Sequence, residues 1–351
     1  MKKSNLNSRR GFIKTSALVG IGIGSPMSTF AIGKNLKETS EVIGHGDFKY
    51  KVDKKWGVQN RNNFPVNHCH EMVMDKRNRI LMTTTHPKNN ILIYNQSGKI
   101  EDSWSIGYPG AHGLTIVDEG GEEFLYITDY AEHKVYKTDT KGKIFLQIEW
   151  PEFIPEYTSD KEFKPTETAI ADNGDIYVCD GYGLDFIIQY NSKGEYIRHF
   201  GGRGDSDSTF NCCHGITIDN RGNTSSLLIT SRTNNEFKRF SMGGLFIEKF
   251  ELPGCWICRP VLDGNELYFA VIITNSWDKF DGMLGILDQN NKVVSLPGGS
   301  IPKYSENNFL APLSDKKSFL NPHDICIDED KNLYVPQWNS KNTYPIKLTR
   351  V

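Results

Sequence analysis

Six segments of the chain open alike, with a polar or metal-competent residue, an apolar run, an Asp a few positions on, and a second short apolar run after a turn. They begin at His70, His112, Glu167, His214, Cys258 and His323, in steps of 42, 55, 47, 44 and 65 residues. A repeat of this length built from short strands is the sequence form of a radial array of small sheets. Six units predict an all-β chain folded as a six-bladed β-propeller.

Local pattern supports the strands. Turn clusters such as Asp172-Asn173-Gly174 and Asp219-Asn220-Arg221-Gly222 are followed by β-rich runs such as Leu125–Thr128, Ile176–Cys179 and Leu333–Val335, the composition of a hairpin. Third and fourth strands follow, as in Ile187–Tyr190 and Tyr196–Phe200, so one unit is an up-and-down four-stranded sheet. The alternating Phe48–Val52 and the segment Tyr344–Arg350 are expected to complete the last blade from the two ends of the chain.

Residues 48–351 are therefore read as the propeller, 32–47 as a polar linker, and 1–31 as a leader. Ser8-Arg9-Arg10-Gly11-Phe12-Ile13-Lys14 has the form of a twin-arginine signal, followed by a weakly apolar stretch and a small-residue cleavage point after Ala31. This predicts export in the folded state to the periplasm or beyond. The leader holds five basic and no acidic side chains, so removing it takes the formal charge from −2 to −7. A body that acidic argues against a nucleic-acid partner. No interior stretch approaches the roughly 18 apolar residues that span a bilayer, so no stable membrane anchor is expected. The chain is read as a monomer. Its seven cysteines are an odd number, and Cys255-Trp256-Ile257-Cys258 is a lone C-x-x-C without the second pair that a zinc site needs.

Radial packing brings the six leading residues together. The first strand of every blade lines the central channel, so equivalent positions form a ring around one axis. His112, His214 and His323 belong to alternate blades, about 120° apart in an even six-fold ring. They can place three imidazoles on one metal ion and leave a coordination position for water or substrate. Candidates on the rim are His86, Tyr130, Tyr182, Arg232, Gln337 and Trp338. A Tyr whose pKa a nearby metal lowers can move protons, and an Arg can clamp a carboxylate through two parallel hydrogen bonds.

Five segments carry a resemblance: Pro165-Thr166-Glu167-Thr168-Ala169-Ile170, Asp180-Gly181-Tyr182, Cys213-His214-Gly215-Ile216, Ser231-Arg232 and Pro322-His323-Asp324-Ile325. In them the chain resembles the NHL-repeat propellers, and among these the peptidyl-α-hydroxyglycine α-amidating lyases. The resemblance implies zinc on His112, His214 and His323, a catalytic role for Tyr182, and a substrate-side role for Arg232. It also implies a structural calcium on the carbonyl of Leu114 and the carboxylate of Asp324.

The pattern departs from those lyases in blade one, where Asn67-His68-Cys69-His70 stands in place of a catalytic arginine, and at Gly183, which replaces a cysteine. His68 and His70 are catalytic candidates in its stead, because both titrate near neutral pH when unperturbed. Arg232, Glu167 and Tyr130 are expected to bind substrate. Exported propellers of related type accompany polysaccharide breakdown, which gives the expected function: a zinc-dependent carbon–oxygen lyase, a dehydratase of uronate-containing oligosaccharides. The alternatives are an amidating lyase acting on peptides, and a propeller that only binds a small molecule or protein on its rim.

Overall fold

The computed structural model describes residues 41–314, 317–339 and 342–351. The leader, residues 1–31, lies outside the described residues. Six sheets form the blades. Blade one runs through Met72–Met74, Ile80–Thr83, Ile91–Tyr94 and Ile100–Trp104. Blade two has Ala111–Glu119, Glu122–Asp129, Lys134–Asp139 and Ile144–Ile148, and blade three Glu167–Ile170, Ile176–Cys179, Phe186–Tyr190 and Tyr196–Gly201. Blade four has Cys213–Asp219, Ser226–Ser231, Glu236–Ser241 and Phe246–Glu251. Blade five has Ile257–Asp263, Glu266–Val271, Met283–Leu287 and Val293–Ser295. An extra hairpin, Tyr304–Ser305 with Asn308–Phe309, precedes blade six and accounts for the longest step in the repeat.

Blade six is assembled from both ends of the chain. Cys326–Ile327, Leu333–Val335 and Ile346–Arg350 are joined by Phe48–Asp53, and Val42–His45 adds a fifth strand at the edge. The first of these N-terminal strands was expected. The second corrects the linker reading of 32–47: four of those residues, Val42–His45, pair with Phe48–Lys51 and bury Ile43. Val42-Ile43 is too short an apolar run to announce a strand before its partner is known.

Burial explains the strand composition. The second strands, such as Ile80–Thr83 and Ser226–Ser231, are buried at every position, because each is covered by the neighbouring blade on both faces. One core cluster mixes Leu81 and Ile93 of blade one with Leu114, Leu125 and Ile127 of blade two. Outermost strands, such as Phe246–Glu251, are mostly solvated and tolerate charge.

The turn between third and fourth strands recurs with one chemistry. Asn95, Asp139, Asn191 and Asp288 each accept backbone N–H bonds from residues two and four further on. The last turn position is left-handed, at Gly98, Gly142, Gly194, Gly244 and Asn291, the residues that reach positive φ at least cost.

Candidate metal centre and its pocket

Three β-bulges aim the channel residues. The register of the first strand slips between Ala111 and Leu114, between Cys213 and Ile216, and between Ile257 and Pro260. Each slip releases the leading residue and its successor from the ladder: His112-Gly113, His214-Gly215 and Cys258-Arg259. A bulge re-aims side chains in this way, here toward the axis.

Four imidazoles meet there, one more than expected. Ring centroids of His112 lie 4.7 Å from His214 and 4.9 Å from His323, and His214 is 5.0 Å from His323. His70 joins them at 4.5 Å from His112 and 4.8 Å from His323. The ligand atoms of His70, His112 and His323 lie within 4.8 Å of one another. The N–H at Nδ1 of His112 donates to the Thr166 carbonyl at 2.8 Å, and that of His323 to the His70 carbonyl at 3.0 Å. Such bonds fix the tautomer and leave Nε2 free to bind a cation.

The cluster fits a metal ion. Both ring nitrogens of His70 and Nδ1 of His214 are buried with no hydrogen-bond partner, a costly state for a polar group unless something else occupies it. Burial, then neighbouring positive charge, holds all four rings neutral, with His112 down to about 3. Neutral imidazole is the form that ligates.

Tyr182 caps the cluster. Its hydroxyl lies 3.1 Å from Nε2 of both His112 and His214. The Asp180 carboxylate fixes the turn beneath it, accepting from the Tyr157 hydroxyl and the N–H groups of Lys164 and Leu184, each at 2.6 Å. Gly181 lets this turn lie against blade four, since a Cβ there would meet the Cys213 carbonyl oxygen at 2.3 Å. Burial raises the pKa of Tyr182, although Arg232 opposes it. That burial keeps the phenol protonated.

Above lies a cavity of about 360 Å³ with His70, Tyr182, Arg232 and Tyr130 on its walls. Arg232, 4% exposed, donates from Nε to the Ile257 carbonyl at 2.9 Å and from Nη2 to Cys258 Sγ at 3.2 Å. Trp256, Trp277 and Trp338 make the outer wall, edge to face at 6.0 and 5.3 Å.

Other expected residues stand elsewhere. The His68 ring packs on Trp338 at 5.7 Å rather than on the cluster. Gln337 is buried and bound to the N–H of Leu320 and the carbonyl of Tyr344, and His86 holds the N–H of Lys88. Cys255 and Cys258 belong to different core clusters and are both free thiols.

Glu167 is a correction. Its carboxylate accepts from the Thr168 N–H at 2.9 Å and lies 3.7 Å from Arg259, so it sits below the histidines and not among the residues of the cavity. Leu114 and Asp324 both meet Arg259, which donates to the Leu114 carbonyl and forks onto Asp324. Sequence reading passed over Arg259, Glu71, Trp256 and Trp277. The first two were detectable, because the residues one place after the leading ring read Glu71, Gly113, Thr168, Gly215, Arg259, Asp324, which is a second ring.

The fold and the site together define a six-bladed β-propeller with a histidine-rich axis. The relatives agree. A probable peptidyl-α-hydroxyglycine α-amidating lyase of Caenorhabditis elegans is 28% identical over 267 residues, 74% of this chain and 70% of that protein. The corresponding lyase 1 of Drosophila melanogaster is 28% identical over 344 residues, 90% of this chain but 57% of the relative's length. The resemblance to amidating lyases therefore holds along most of the propeller, and these relatives are lyases. No family model matches the chain.

Among solved structures, a streptogramin B lyase superposes with a TM-score of 0.56 at 16% identity, covering 86% of this chain and 97% of that one. An inactive H270A virginiamycin B lyase of Staphylococcus aureus with quinupristin gives 0.55 at 18%, covering 86% and all of that chain. These likenesses speak for the fold. Neither they nor the curated relatives support a uronate dehydratase or an oligosaccharide substrate, and the amidating-lyase alternative fits better. Among the described residues no helix is long and apolar enough to cross a membrane.

Proposed function

We propose that this chain is a metal-dependent lyase that cleaves the carbon–nitrogen bond of an N-acyl-α-hydroxyglycine, releasing an amide and glyoxylate. The observation that carries this reading is the Tyr182 hydroxyl, 3.1 Å from two channel imidazoles and in the same cavity as Arg232. A proton-transfer group, a metal-competent cluster and a cation for a carboxylate are the three parts such a cleavage uses.

In this reading the substrate carboxylate faces the guanidinium of Arg232, and its acyl portion lies along Trp256, Trp277 and Trp338. Tyr182, protonated in its buried setting, gives its proton to the departing amide nitrogen and takes the one on the substrate hydroxyl. The hydroxyl-bearing carbon becomes the aldehyde carbon of glyoxylate as the C–N bond breaks, and the tyrosine ends as it began. His112, His214 and His323, with His70 beside them, would hold a divalent metal such as zinc. That ion, when bound, supplies positive charge that favours loss of the hydroxyl proton. The same proposal sets the enzyme outside the cytoplasm, as the leader implies.

The purified protein should be incubated with an N-acyl-α-hydroxyglycine and, separately, with unsaturated uronate oligosaccharides. Equimolar glyoxylate and amide are expected from the first. Loss of one water mass from the sugar, with no glyoxylate from the peptide analogue, would return the dehydratase reading.

A further inference from the structure

Directly beneath the histidines, the channel is closed by one side chain. Arg259, on the bulge of blade five, reaches the axis and donates from Nε to Asp324 Oδ1 at 2.7 Å and from Nη2 to Asp324 Oδ2 at 2.9 Å. Nη1 donates to the Leu114 carbonyl at 2.9 Å, and Nη2 donates also to the Met72 carbonyl at 3.0 Å. Glu71 and Glu167 complete the surround, their carboxylates 3.3 and 3.7 Å from Nη1. One guanidinium thus ties the first strands of blades one, two, three and six to its own.

The surroundings are made to receive it. A Cβ on Gly215 would meet the Cα and Cβ of Arg259 at 2.4 and 2.5 Å, so only glycine lets blade five come this close to blade four. Asp324 and Glu71 are themselves held by backbone donors: Asp324 accepts the Met72 N–H at 2.9 Å and Glu71 the Leu114 N–H at 2.7 Å.

We propose that Arg259 is the resident cation of this channel, occupying with its guanidinium the place between Leu114 and Asp324 where the resemblance implies calcium, so that the propeller is clamped without that metal. The carbonyl and carboxylate oxygens that a hard cation would need are already spent on N–H donors. The plug also divides the channel. On its far side lies a separate cavity of about 460 Å³ lined by Thr115, Thr168, Thr217 and Arg259 itself, so the histidine cluster is reached from the tryptophan side.

The test uses the full-length protein purified with its metals, with metal content by mass spectrometry and melting temperature read in EGTA and in millimolar calcium. Wild type should retain far less than one calcium per chain and melt at the same temperature in both. One tightly held calcium per chain, or a lower melting temperature in EGTA, would overturn the proposal. Arg259→Ala should melt about 5 °C lower or more, and millimolar calcium should recover part of the loss by entering the vacated oxygens. An Arg259→Ala protein as stable as wild type would also overturn it. Should that variant not fold, Arg259→Lys keeps the charge but loses the fork, and a wild-type melting temperature there would refute the clamp.

Discussion

The hydroxyl of Tyr182 and Nε2 of His214 lie 3.1 Å apart, in hydrogen-bond contact although they come from different blades. The contact joins the group that can move a proton to the cluster that can hold a metal, so the two functions are separable by substitution.

Tyr182→Phe keeps the ring and removes the hydroxyl. On the proposed reaction kcat should fall roughly 10² to 10⁴-fold with little change in KM, checked by glyoxylate release after metal content is confirmed. A wild-type kcat would exclude the tyrosine and move attention to His70.

Arg232→Ala should act on binding. Loss of a partly desolvated charge-assisted contact costs about 1.5 to 3 kcal/mol, so KM should rise about 10- to 150-fold. Unchanged KM for substrates with and without the carboxylate would rule out the clamp.

Metal binding distinguishes the four histidines. His112→Ala, His214→Ala and His323→Ala should each lose most of the bound metal, because removing one imidazole from a three-ligand set leaves a weak site. His70→Ala should weaken binding about 10-fold or more. A histidine whose alanine variant retains full occupancy at equal free metal is no ligand.

Asp219 should govern acid tolerance. Burial alone would raise its pKa, but Arg221 and Arg239, bonded to it at 2.7 and 2.9 Å, bring it down to about 2. Because the folded value lies below the unfolded one, its stabilisation is present above about pH 4 and is lost as pH falls through 2. Asp219→Asn should therefore lose roughly 2 kcal/mol at pH 7 and show a flatter stability profile between pH 4 and 2 in urea unfolding. An unchanged acid limb would show that the two arginines contribute little.

Arg9→Lys with Arg10→Lys should leave the precursor unprocessed in the cytoplasm if the leader is read as a twin-arginine signal. Normal processing of the double variant, seen by fractionation and mass measurement, would point to another route.

Much of this was legible in the sequence for a physical reason. Strand turns need particular residues at fixed places, so Asp172-Asn173-Gly174 and its counterparts marked the blades, and His112, His214 and His323 fell in phase with them. What lay hidden depended on direction rather than spacing. Bulges at His112-Gly113 and Cys258-Arg259 leave no pattern in one sequence, so the second ring names Arg259 without showing that its side chain fills the axis. The same is true of Glu167, whose phase placed it in the ring but whose side chain turns below it. Trp256 and Trp277 come from loops that no repeat describes.

Blade six carries a different consequence. Its seam pairs Tyr50 with Arg350, positions 300 residues apart, with the Arg350 guanidinium bonded to the Tyr50 hydroxyl at 2.9 Å and laid 4.6 Å over the Phe48 ring. Contacts of that separation are the slowest to form. A strand made near the start of synthesis must wait for one made at its end, and until then it is an unpaired edge open to pairing with other chains. Refolding should accordingly show a late phase that reports on this seam, slowed by Tyr50→Ala, and the yield of folded protein should fall as concentration rises.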